Sequence, residues 1–115
     1  MDKTLRERLD DYQNEMLNKN LVPDRAAIIL TELSSLYGNV NDRILETDLA
    51  YNRVLKDALD TNEKTNRATI QAKTTDEYKQ MMIAKNTEKE LLALIRSLNR
   101  FLKVKEDELR TVKYQ

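Results

Sequence analysis

One glycine, Gly38, and one proline, Pro23, are all that punctuate 115 residues. Turns and sheet edges depend on residues of that kind, so a chain with so few has little choice but long helices. Charged residues make up 35% and aromatic residues 5%, which also disfavours strands. The 40% apolar content is enough for stripes along helices and too little for a thick, many-layered core. A length of 115 residues fits one structural unit.

The apolar positions carry the helical period. Thr4-Leu5-Arg6-Glu7 has the capping-box pattern, and Leu5, Leu9, Tyr12 and Met16 follow as one narrow seam up to the polar run Asn18-Lys19-Asn20. This predicts an N-terminal amphipathic helix within residues 1–21. Pro23 suits the first turn of a second helix, because its fixed φ is helical and its missing N–H is not needed there. Ile29, Leu33, Leu36, Val40, Ile44, Tyr51, Leu55 and Ala58 then keep one face. Gly38 costs a helix about 1 kcal/mol, yet the apolar phase is unchanged across it, so the helix is expected to run on through residues 24–73. Leu45 and Leu49 lie off that stripe as a second apolar patch, and after Leu59 the main face turns polar at Asn62, Thr65, Asn66 and Thr69.

Thr74-Thr75-Asp76-Glu77 repeats the capping pattern and predicts a reversal into a third helix over residues 75–110. Its seam, Leu91, Ile95, Leu98, Leu102 and Leu109 widened by Leu94 and Phe101, recurs at heptad-like steps. The expected fold is all-α: an N-terminal helix plus a long antiparallel, coiled-coil-like hairpin over residues 22–115. Leu45, Leu49, Leu91, Ile95, Leu98 and Leu102 offer more apolar face than one hairpin buries, so homo-oligomerisation is expected through them.

The composition removes most chemistry. Without histidine or cysteine the chain lacks the commonest general base, the thiol nucleophile and the usual zinc ligands, and one glycine cannot build a phosphate loop. Ser34, Ser35 and Ser97 have no imidazole to activate them. Asp10/Asp11 and Glu106/Asp107/Glu108 read as solvated helix surface. No catalytic residue, metal or cofactor is expected. The start of the chain has no apolar signal segment, and no apolar run approaches the roughly 18 residues of a membrane helix, so the expected setting is the cytoplasm, a host's if the chain is phage-encoded.

The balanced charge hides an asymmetry. Residues 1–50 carry 6 basic and 10 acidic side chains, and residues 51–115 carry 14 and 10. On the third helix Lys85, Lys89, Arg96, Arg100 and Lys103 fall in one sector opposite the leucine seam, with Arg110 at its border and Asp107 interrupting it. Such a row fits a phosphate backbone, bound without sequence preference and sensitively to salt. Tyr78 and Met82 share the sector, as base-stacking groups would. Lys64, Arg67 and Lys73 form a second basic group. The alternative is a solvated face on a structural or interaction protein, such as a virion assembly or scaffold component or an inhibitor of a host protein.

The stretch from Leu49 to Arg110 resembles the small helical proteins of tailed-phage recombination modules, above all the UvsY-type recombination mediators. The likeness lies in Lys64-Thr65-Asn66-Arg67 through Lys73, then Tyr78 and Lys79, then Lys85-Asn86-Thr87-Glu88-Lys89-Glu90-Leu91 leading into Leu94-Ile95-Arg96-Ser97-Leu98-Asn99-Arg100-Phe101-Leu102-Lys103. The resemblance implies a helical homo-oligomer that binds single-stranded DNA and helps load a recombinase onto strands coated by single-strand-binding protein. Lys64, Arg67 and Lys73 would touch DNA, and the third helix would contribute to ring assembly.

Overall fold

The computed structural model describes residues 4–18, 20–62 and 64–114, with side chains up to Thr111. Four helices account for nearly all of them: α1 (Leu5–Met16), α2 (Pro23–Thr61), α3 (Thr65–Ala72) and α4 (Asp76–Tyr114). The chain is all-α, and there is no strand among the described residues.

The caps explain the boundaries. The Thr4 hydroxyl accepts from the Glu7 backbone N–H at 3.2 Å and opens α1, as the capping pattern requires. Pro23 is the first residue of α2, and α2 passes through Gly38 without a break and without a positive φ. The helix expected over residues 24–73, however, stops at Thr61. The Asn62 side chain donates to the Ala58 carbonyl at 2.7 Å and to Gln71 Oε1 at 2.8 Å, so it competes for the backbone acceptor and ties the following segment back. Lys64 is then extended (φ −109°, ψ 126°), and α3 begins after it. At the next turn one residue serves both ends. Thr75 donates its hydroxyl to the Ala72 carbonyl at 2.6 Å and accepts from the Tyr78 N–H at 3.3 Å, closing α3 and opening α4 one residue later than expected. At its far end α4 runs to Tyr114, beyond the expected Arg110.

Two compact units share α2 and α4: Met1–Tyr37 with Lys89–Gln115, and Gly38–Glu88. The first unit thus groups α1 with the opening part of α2 and the closing part of α4. The first unit is built on large side chains, with Leu9, Ile29, Leu33, Leu91 and Leu98 almost wholly removed from solvent around Ala26. Charged clasps hold α1 to its neighbours. Arg6 bonds Glu90, Tyr12 donates to Glu32, and Arg25 grips Glu15 through two bonds of 2.5 and 2.9 Å. The Arg6 guanidinium holds the Glu90 carboxyl below the usual glutamate range, and Arg25 does the same for Glu15.

The second unit buries small ones: Ala58, Ala68, Ala72 and Ala84 with Val40 and Met81. Thr47 is buried with them, its hydroxyl spent on the Arg43 and Ile44 carbonyls at 2.9 and 3.0 Å. Lys85 Nζ lies 3.5 Å from Asp48 Oδ1, an ion pair without a hydrogen bond to that buried oxygen. Along α2 the buried positions Ala26, Leu33, Val40 and Thr47 recur every seven residues, as do Ala84, Leu91 and Leu98 along α4. That is the period of helices that pack side by side.

Candidate nucleic-acid interface

The regularity of α4 carries the expected basic row, but not all of it. In the first unit Lys89, Arg96, Arg100 and Lys103 are exposed, and none has an ion-pair partner among the described residues. They fall within a sector about 60° wide, spread over about 21 Å of helix axis. Four other cations of that unit are engaged differently, while Arg8 on α1 is exposed and also lacks an ion pair among the described residues. Arg6 bonds Glu90 and lies near Asp10, Arg25 bonds Glu15, Lys105 lies 3.4 Å from Glu108, and Arg110 bonds Glu106 at 2.7 Å. Lys105 also sits 5.7 Å from the centre of the Phe101 ring. Arg110, expected at the border of the row, is therefore neutralised from its own helix. Asp107 stays exposed and interrupts the row, as the sequence indicated.

Lys85 departs from the expected set. Its ammonium is directed to Asp48 across the second unit, so its charge is partly used in joining α4 to α2. Tyr78 departs too. Its ring packs against Tyr51 with centroids 5.3 Å apart and planes tilted by 52°, which leaves it half-buried rather than standing free for a base to stack on. Met82 remains at the surface. The missed signal was Tyr51 itself, an aromatic on the buried face of α2 that needed a partner from another helix.

Lys64, Arg67 and Lys73 of the second unit are all exposed and have no ion pair among the described residues. Lys64 supplies the N-terminal cap of α3 without a side-chain hydrogen bond, and Lys73 its C-terminal cap. Ile70, 67% exposed, lies on α3 between them.

The residues expected to drive self-association separate into two groups. Leu91 and Leu98 are fully buried within the first unit's own core, and Ile95 and Leu102 are half-buried beside them. That seam is spent inside the chain, as seams usually are once neighbouring helices close on them. Leu109, read as its continuation, is 70% exposed instead. Leu45 and Leu49 are exposed on α2 and free to meet another surface.

Among the described residues no three carboxylates gather as a metal ion would need, and no helix is long and apolar enough to cross a membrane. Comparison with protein-family models, with curated proteins and with solved structures finds no match to this chain.

Proposed function

We propose that this chain is a non-enzymatic accessory protein of phage-type DNA recombination or replication, which self-associates and binds single-stranded DNA along α4. The observation that carries the reading is the contrast within one unit. Arg6, Arg25, Lys105 and Arg110 are matched to carboxylates, whereas Lys89, Arg96, Arg100 and Lys103 stand unmatched in one sector. Unpaired cations in a row suit a polyanion, because each phosphate they neutralise releases a counterion. Since Tyr78 is occupied by Tyr51, phosphate contacts rather than base stacking supply the affinity. In this reading α2 and α4 form the arms of a helical hairpin, and the likeness to UvsY-type mediators supplies the role: loading a recombinase on strands coated by single-strand-binding protein.

Fluorescence anisotropy with a labelled oligonucleotide tests it. Affinity should fall with salt at a slope of about −3 in log K against log salt, as four phosphate contacts on a single strand require. Arg96→Glu with Arg100→Glu should weaken binding by about tenfold or more and flatten the slope, while Lys105→Glu should change little. No binding at low ionic strength would refute the proposal. It would favour the second reading, an interaction protein working through helix faces alone, for which the exposed Leu45 and Leu49 speak.

A further inference from the structure

The face of α2 turned away from the core of the second unit has a pattern of its own. At 100° per residue Gly38, Leu45, Leu49, Asn52 and Lys56 lie within a sector of about 60°, roughly opposite the buried Val40, Thr47 and Ala58. Leu45 is 61% exposed and Leu49 51%, although no leucine is among the fully buried residues of this unit and Leu55 is only half-buried. Gly38 sits in the same sector with open space around it: a Cβ there would meet nothing within 4 Å, and its φ is ordinary. Its own fold gives α2 no reason to accept the helix cost of a glycine at this position. Asp42 and Arg53 border one edge of the sector, exposed and without ion-pair partners among the described residues.

We propose that this face of α2 binds the same face of a second copy, antiparallel, about a two-fold axis near residue 47. This deepens the self-association part of the proposed function and does not need the DNA part. A two-fold perpendicular to two antiparallel helices keeps each edge on its own side of the interface, so residues whose numbers add to about 94 or 95 meet. Leu45 meets Leu49 of the second copy and the reverse, which makes a four-leucine cluster at the axis. Asp42 meets Arg53 of the second copy, twice, with less than about 1 Å of offset along the helix axis at 1.5 Å per residue. Lys56 of the second copy lies over Gly38, where no side chain obstructs it. A parallel pair would instead set the Asp42/Arg53 edge against the opposite edge, where Asn41 and Asn52 offer no charge. Charge complementarity thus selects both the occupant and its direction.

Sedimentation velocity on the full chain, without nucleic acid, tests this over a range of concentrations. A dimer is expected. Leu45→Ser with Leu49→Ser should shift it to monomer with the helical circular dichroism unchanged, since both residues are exposed. Asp42→Arg and Arg53→Asp should each weaken the dimer by about tenfold or more, and together they should restore it. A strict monomer, a dimer indifferent to the serines, or a charge swap that fails to rescue would each overturn the inference. Because no DNA is present, Arg96→Glu with Arg100→Glu should leave the dimer intact, so failure of the DNA reading and failure of this one are told apart.

Discussion

The two units solve helix packing with opposite choices of side chain. Leu9, Ile29, Leu33, Leu91 and Leu98 fill the first, whereas Ala58, Ala68, Ala72 and Ala84 line the second, whose leucines at 45, 49 and 59 face outward. Small residues let helices approach closely, but each removes far less apolar surface from water than a leucine does. The first unit therefore gains its stability from volume buried. The second depends on close fit, on backbone-satisfied polar groups such as Thr47, and on whatever covers its exposed leucines.

The largest effect should come from emptying the leucine core. Leu33→Ala or Leu98→Ala should each cost about 2–5 kcal/mol, read as a lower denaturant midpoint, because neighbouring side chains cannot collapse fully into the space. Both positions are 0% exposed. Exposed leucines of the second unit offer the control: Leu59→Ala should stay within about 1 kcal/mol. If it costs as much as Leu33→Ala in a monomeric sample, the contrast between the units collapses.

The alanine core should fail in the other direction. Ala68 is fully buried and, unlike Ala72, does not line the open cavity beside Ala58 and Thr75, so a larger side chain there meets neighbouring helices. Ala68→Leu should destabilise by about 1–3 kcal/mol through overpacking. Hydrogen exchange should locate the damage in α3 and the adjoining turns of α2 and α4. A neutral or stabilising leucine at 68 would mean that this unit is loosely packed rather than closely fitted.

How much of this could be read from the chain differs between helix type and helix partner. The capping threonine at 4, the proline at 23 and the unbroken apolar phase across Gly38 act within a few residues, and each is visible in the order of side chains. The stop at Thr61 is hidden because Asn62 is, along the chain, one more polar position in an unbroken helical phase, whereas its amide reaches both Ala58 and Gln71. Gln71 is close only after the chain has turned. The engagement of Lys85 and Tyr78 is hidden for the same reason: their partners, Asp48 and Tyr51, lie more than 25 residues away in sequence. Lys89, Arg96, Arg100 and Lys103, which need no partner from elsewhere, stayed on the exposed sector that their spacing predicted.

The smallest effect concerns acid, and it belongs to the first unit. Hydrogen bonds from Arg25 and Arg6 lower the pKa of Glu15 and Glu90 in the folded chain. The unfolded carboxyls titrate at about 4.3. A group whose folded pKa is depressed contributes stability above its unfolded value, and that contribution is lost as pH falls through the folded one. Cooling of the melting transition between about pH 5 and pH 3 should therefore include a part due to the α1 clasps, small because these pairs are well exposed. Glu15→Gln with Glu90→Gln should lower the melting temperature at neutral pH by a few degrees at most and make the curve flatter in acid. If the doubly substituted chain loses as much on acidification as the original, the acid response lies outside these clasps, and α1 is held by Leu9 rather than by charge.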